Sequence, residues 1–212
     1  YCSIPIVGSS LPIAAGLALA EKLSGTGNIV VAYIGDAALE TGAFYESLNL
    51  VALKKLPILI VLEDNDYSTF SNKAVRWADN KNVKNSIEGM GILYCNENGD
   101  DLERVYNIVH KVLPEVRNNN PFLLHFNTFR RYEHCGPNID DNLNYRTDNE
   151  IKSFRERDPF EKFRKEIINS GKYSEDLLEN INLSITKYVQ AILEEAMLKH
   201  KEPSILFQEN QL

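Results

Sequence analysis

Two uninterrupted apolar runs, NIVVAYI at 28–34 and PILIVL at 57–62, bracket a stretch of helical periodicity and constrain the fold more than any other feature of the chain. Neither run alternates apolar with polar residues. Each therefore reads as a strand buried on both faces, the pattern of a parallel sheet covered by helices. Parallel neighbours need a crossover, and residues 39–55, with Phe44, Leu48 and Val51 at helical spacing, supply one. The result is a β-α-β unit, whose ligand edge lies at the carboxyl ends of its strands.

Ahead of this unit, VGSSLPIAAGLALAEKL at 7–23 predicts a helix ending near Ser24 and Gly25. Its small residues suit close backbone approach, beneath a cofactor, at a subunit contact or in a tightly packed core. Downstream, a short helix around Ser86–Met90 and a strand near Ile92–Cys95 extend the sheet. An amphipathic helix through Leu102, Val105, Val109 and Val112 and a strand over Pro121–Phe126 follow. Two polar stretches, 63–81 and 128–148, are long enough without regular structure to be site loops. Pro159 in RDPF stands where a helix can begin, with Asn169 near its end and Gly171 beyond. Ser174 caps a last helix running to about Lys199, with Leu178, Ile181, Ile185, Val189, Ile192 and Ala196 on one face. We read an α/β fold, a parallel sheet with helices on both faces, as a domain over 1–150 that includes both loops. A helical extension over 151–212 packs on that domain or on a partner.

A chain of 212 residues can bury roughly 70% of its extended surface without staples. A formal net charge of −7 argues against nucleic acid or an anionic membrane as the main partner. Three irregularly spaced cysteines, Cys2, Cys95 and Cys135, fit neither a disulfide framework nor a zinc knuckle. No apolar run is long enough to span a bilayer, so the expected location is the cytoplasm. The chain enters a glycine-rich segment almost at once, which reads as a missing amino-terminal portion.

Asp36 ends one predicted strand and Asn65 closely follows the next, so a carboxylate and an amide oxygen converge on one sheet edge. Hard oxygen ligands of this kind suit Mg2+ that keeps phosphate oxygens in its other positions. The alternative is that Asp36 caps the following helix and Asn65 closes a turn. In the second loop, Arg130 can grip a diphosphate and His134 can donate to it or move a proton. The alternative there is an arginine paired with Asp140 or Asp141 beside a solvent-facing histidine. Phe70 and Trp77 either line a pocket or pack the first loop.

Several ordered segments carry a resemblance across nearly the whole chain: IVGSSLPIAAGLALA at 6–20, GDAALETGAFYESLNLVALKKLP at 35–57, EDNDY at 63–67, TFRRYEHC at 128–135, DDNLNYR at 140–146 and RDPF at 157–160. Together they resemble the carboxyl-terminal two thirds of the E1α subunit of thiamine-diphosphate-dependent 2-oxo acid dehydrogenases of the pyruvate, branched-chain 2-oxo acid and acetoin systems. The resemblance implies a thiamine-diphosphate-binding fold with Mg2+. It assigns Gly35, Asp36, Ala37 and Ala38 to the cofactor turn, Asp36, Asn65 and the Tyr67 carbonyl to the metal, and the Val7 backbone to the aminopyrimidine. Arg130 takes the diphosphate, and His134 is the active-site histidine that touches it. The implied partners are a β subunit in an α2β2 heterotetramer, a small 2-oxo substrate and a lipoyl-bearing acyltransferase. Decarboxylation or cleavage then passes an acyl or aldehyde unit to the lipoyl group.

Departures from the family pattern bear on the same site. Ala37 stands for the second glycine of GDG, Glu40 for an asparagine, Asp64 and Asp66 for neighbours of the ligand asparagine in ENNGY, Glu133 for a glycine and Cys135 for a serine. Glu40, Asp64 and Asp66 add negative charge beside an anionic cofactor. Two further readings follow from them: a divergent biosynthetic enzyme using the same cofactor without a lipoyl acceptor, and a catalytically silent structural or regulatory subunit.

Overall fold

The computed structural model describes residues 2–79 and 81–201, which form two units, one ending at Pro159 and the other beginning at Phe160. Asn80 of the first loop and residues 202–212 of the expected extension lie outside the described residues.

The first unit opens with helix α1 (Ser10–Ser24), followed by strand β1 (Val30–Gly35), a 3-10 turn over Asp36–Glu40, helix α2 (Gly42–Lys54) and strand β2 (Ile58–Asp64). Gly25, in the left-handed region at φ +63°, ends α1, where its N–H meets the Lys22 carbonyl. Thr41 caps α2 by accepting from the Phe44 N–H at 3.3 Å. Lys22 reaches across from the last turn of α1 and donates to the Lys54 and Lys55 carbonyls at 2.6 and 2.9 Å. One ammonium thus satisfies carbonyls that the end of α2 leaves open, where a cation is favoured. At the other end, Gly8 takes φ +85°, and a Cβ there would collide with the Thr41 side chain. The two helices are tied at both ends and run in the same direction.

A hairpin of β3 (Tyr67–Ser68) and β4 (Ser71–Asn72), the four-residue helix α3 (Lys73–Arg76) and helix α4 (Val83–Gly89) follow. The stretch expected to lack regular structure over 63–81 is therefore partly ordered, because Asn72 caps α3 and the Asp66 carbonyl accepts from the Lys73 N–H at 2.7 Å. Strand β5 (Leu93–Asn98), helix α5 (Leu102–Arg117) and strand β6 (Phe122–Asn127) complete a parallel sheet of order β1-β2-β6-β5.

One sheet face packs Ala32, Ile34, Ile58, Ile60, Leu62 and Leu123 against residues of α1, α2 and α4. The other packs Leu59, Val61, Leu124 and Phe126 against Val112 and Val116 of α5. The expected burial on both faces holds for β2 but fails for β1, where Tyr33 is 65% exposed. β1 is an edge strand, and α5 packs chiefly on β2, β6 and β5.

Residues 128–147 form the second loop, with a 3-10 turn over Asp141–Leu143, and helix α6 (Asp148–Glu156) follows it. That helix is absent from the sequence expectation. Its signal is the capping box in which Thr147 accepts from the Glu150 N–H and Glu150 accepts from the Thr147 N–H. The second unit carries most of helix α7 (Pro159–Asn169) and all of helix α8 (Glu175–Lys201). Ser174 caps α8 through the Leu177 N–H at 3.2 Å, as expected, and Ile181, Ile185 and Ile192 are exposed along it.

Candidate functional site

The carboxyl ends of the strands gather the chain's distinctive polar residues. Register pairs Gly35 with Glu63 and Asp64 with Asn127, so Asp36, Asn65 and Thr128 leave three adjacent strands at one edge. The Val7–Gly8 turn reaches the same end through the contact of Gly8 with Thr41, and Val7 itself is exposed. The cleft of about 320 Å³ lined by Ala52, Lys55, Leu93 and Pro121 lies at the amino ends of the strands and does not belong to this edge.

Asp36 is only 2% exposed although it opens a turn. It makes no cap, so the capping alternative does not apply to it. Its carboxylate is ion-paired with Arg76 Nη2, while Arg76 Nη1 pairs with Glu40. Glu40 also accepts from Trp77 Nε1 at 2.8 Å, and Lys81 Nζ stands 3.9 Å over the indole ring. Glu40 is thus turned toward the first loop, and Trp77 packs that loop. Ala37 is partly exposed and Ala38 buried in the same turn. Asn65 Oδ1 accepts from the Tyr67 N–H at 3.1 Å, closing a turn with one lone pair of the oxygen unused.

Asp64 points away from the open edge into a buried network. It accepts from Lys73 Nζ at 2.6 Å, from the Asp66 N–H at 3.1 Å, and meets His125 Nε2 at 2.9 Å. Burial raises the pKa of this carboxyl, but the bonds to His125 and Lys73 outweigh it and hold the group at about 2. His125 Nδ1 lies 2.7 Å from the Tyr94 hydroxyl, so the tautomer with its hydrogen on Nε2 satisfies all three groups. Burial, and then the Asp64 charge, push the Tyr94 phenol up to about 12. Lys73 also pairs with Asp66 at 2.6 Å. The added charge of Asp64 and Asp66 is therefore answered within the protein.

Arg130 leaves the end of β6 and anchors the second loop. Its Nη2 donates to the Thr69 carbonyl at 2.8 Å, to the Tyr145 hydroxyl at 2.9 Å and toward Asp140 at 3.4 Å, and its Nε donates to the Tyr132 carbonyl at 3.0 Å. Pairing with Asp140, the structural alternative for this residue, is what the protein does. Nη1 is buried and has no partner among the described residues. Tyr145 donates to Asp140 at 2.6 Å, and Arg146 Nη1 donates to the other Asp140 oxygen at 3.3 Å. The Arg146 guanidinium, in a residue 5% exposed, stacks 4.8 Å from the Tyr145 ring, 5.1 Å from Phe129 and 5.3 Å from Tyr67. Its Nε and Nη2 are likewise buried without partners among the described residues. Tyr67 joins the first loop to α6 by donating to Glu150 at 2.8 Å.

His134 is exposed in a turn and stands apart from Asp36 and Arg130 in hydrogen bonding. Glu133 closes that turn by accepting from the Asn138 backbone at 3.1 Å and side chain at 2.7 Å. The structure therefore brings Asp36, Asn65, Tyr67 and Arg130 to one edge and leaves His134 on a loop above solvent. Arg76, His125 and Arg146 were not foreseen. No local pattern marks Arg76 or His125, and only the tertiary fold buries Arg146.

Comparison with known proteins agrees with this architecture. A pyruvate dehydrogenase E1 component subunit alpha from Rickettsia bellii is 35% identical over 190 residues, covering 89% of this chain and 57% of the relative. The corresponding protein from Rhizobium meliloti is 29% identical over 186 residues, covering 87% of this chain and 52% of its own length. The chain thus spans little more than half the length of these relatives. A transketolase from Leishmania mexicana superposes with a TM-score of 0.50 at 23% identity, over 59% of this chain and 20% of that one, and shows likeness of fold alone. The family model described as dehydrogenase E1 component matches residues 3–204, and the chain belongs to that family.

Proposed function

We propose that the chain is the α part of a thiamine-diphosphate-dependent dehydrogenase that decarboxylates a 2-oxo acid, of the pyruvate dehydrogenase type, and passes the acyl unit to a lipoyl group. The observation that carries this reading is the pairing of opposites on one sheet edge. A buried carboxylate, Asp36, ends β1, and a buried guanidinium nitrogen without a partner, Arg130 Nη1, stands at the end of β6 two strands away. A carboxylate suits a divalent cation and an unpartnered guanidinium nitrogen suits a diphosphate, so the residues fit the group.

In this reading Asp36, the Asn65 amide oxygen and the Tyr67 carbonyl hold Mg2+. Gly35, Ala37 and Ala38 line the turn, and Arg130 Nη1 takes a diphosphate oxygen. The Val7 backbone meets the aminopyrimidine. When bound, the cofactor would supply a nucleophilic carbanion for addition to the 2-oxo carbon and an electron sink for decarboxylation. His134, exposed on its turn, is the residue this reading assigns to hold or move a proton at the substrate. A β subunit in an α2β2 assembly completes the site, and residues 1–150 carry it while 151–212 form a helical extension. Glu40, Asp64 and Asp66 all have cationic partners, which favours a working site over a silent scaffold.

The test is calorimetric titration of thiamine diphosphate with Mg2+ into the full-length chain assembled with its β partner, beside Asp36→Ala. Saturable, Mg2+-dependent binding that vanishes in the variant is expected. A well-assembled wild-type complex that binds nothing would overturn the reading.

A further inference from the structure

Arg76 is the residue that neither the family pattern nor the proposed function accounts for. It comes from the end of the short helix α3, 40 positions away from Asp36, yet its guanidinium spans two carboxylates, Nη2 on Asp36 and Nη1 on Glu40. Its Nε donates to the Ser71 carbonyl at 3.1 Å, which fixes the plane of the fork from within its own loop. Arg76 is itself mostly buried, its side chain 10% exposed. Trp77, the next residue and the single tryptophan of the chain, donates to the same Glu40 oxygen that Nη1 meets.

A buried carboxylate cannot stand alone, because an uncompensated charge at this depth is costly. The cation that answers Asp36 is the protein's own Arg76. Mg2+ takes oxygen ligands at about 2.0–2.1 Å, and a guanidinium held on Asp36 Oδ2 opposes the approach of a dication to that oxygen by charge and by bulk. Loading the metal through that oxygen therefore requires the Nη2 contact to break. The Nη1 contact need not break, since Glu40 and the Ser71 carbonyl still hold the arginine beside the edge.

We propose that Arg76 is a built-in occupant of the metal position, exchanged for Mg2+ when the cofactor binds, and that Glu40 is the residue that keeps the displaced guanidinium at hand. The inference rests on the cofactor reading above and adds a cost to it. Cofactor affinity is reduced by the fraction of molecules in which Arg76 has let go of Asp36. Glu40, which stands where the family has an asparagine, thereby acquires a purpose as the second anchor of the fork. Loading is also coupled to the 63–81 loop, since Arg76 and Trp77 belong to it.

The test is a Mg2+ titration at saturating thiamine diphosphate on the full-length chain assembled with its β partner, followed by calorimetry. Emission of Trp77 is followed in parallel, with a Trp77→Phe assembly to subtract the partner's signal. Arg76→Met keeps the apolar stem and removes the fork. It is expected to bind Mg2+ about tenfold more tightly than wild type, as follows when no more than a tenth of wild-type molecules have Asp36 free. The wild-type change in Trp77 emission on loading should be largely lost in the variant. Equal or weaker Mg2+ binding by Arg76→Met overturns the proposal, and weaker binding would make Arg76 a phosphate ligand instead. If Arg76→Met fails to assemble, Arg76→Lys decides in its place: tighter binding than wild type supports the exchange, and equal or weaker binding overturns it. Wild type that binds while the variant gains nothing sinks this inference alone. Absence of binding in wild type and variant together sinks the cofactor reading and the exchange with it.

Discussion

Replacing Asp64 by asparagine tests the buried network beneath the sheet edge through its dependence on pH. The Asp64 carboxyl is held at about 2 against an ordinary 3.8, because bonds from His125 and Lys73 outweigh the burial that opposes ionisation. A shift of that size corresponds to about 2.5 kcal/mol of stability at neutral pH. The sign follows from the direction. A depressed folded-state pKa contributes in full above 3.8 and is lost as the pH falls through about 2, with about half remaining near pH 3. The amide in Asp64→Asn would keep the shape and one acceptor but carry no charge, so the variant lacks this pH-dependent contribution. Despite its burial, Lys73 is shifted upward by both Asp64 and Asp66, away from this pH range. Urea unfolding of both proteins, followed by Trp77 emission between pH 3 and 7, measures the gap. The gap should be near its maximum at pH 7 and about half that at pH 3. A gap that stays constant over this range, or widens in acid, would refute the account of Asp64 as an ionised group stabilised by His125 and Lys73.

Arg146→Met removes the buried partner of Asp140 while keeping an apolar stem among the three rings. Asp140 keeps Arg130 and the Tyr145 hydroxyl, so the change should cost about 1.5–3 kcal/mol, read as a lower urea midpoint, with faster proteolysis of the 128–147 loop. Thr147→Ala breaks the capping box of α6 and should cost about 1 kcal/mol in thermal unfolding, with the Tyr67–Glu150 bond retained.

The parallel sheet was legible because its evidence is local. β2 is buried on both faces and reads as an unbroken apolar run, and the helices α1, α5, α7 and α8 carry periodicity and caps of their own. β1 is as apolar a run as β2 but sits at the edge, and edge position is a property of topology that no window of residues contains. Asp36 and Asn65 were read together because strand ends in a parallel sheet converge on one side, and Arg130 was read from the second polar loop. The pairing of Arg130 with Asp140 stood among the sequence alternatives, but that of Asp36 with Arg76 did not, because Arg76 meets Asp36 only after the hairpin β3–β4 has folded back. Glu40, Asp64 and Asp66 read in sequence as unopposed charge, and only the folded loop supplies Arg76 and Lys73 to answer them. The helix α6 could have been read from Thr147 and Glu150, whose spacing alone marks a helix start.

The two ties between α1 and α2 divide the edge into unequal halves. With Gly8 locked against Thr41 at one end and Lys22 holding the last carbonyls of α2 at the other, the Val7–Gly8 turn and the start of α2 open to solvent only as one cooperative unit. Their amides should exchange hydrogen together and slowly. The opposite half is built on Arg76 and on the 128–147 loop, whose anchors are single side chains, and its amides should exchange first. One side of the edge is thus fixed by helix packing and the other by single side chains.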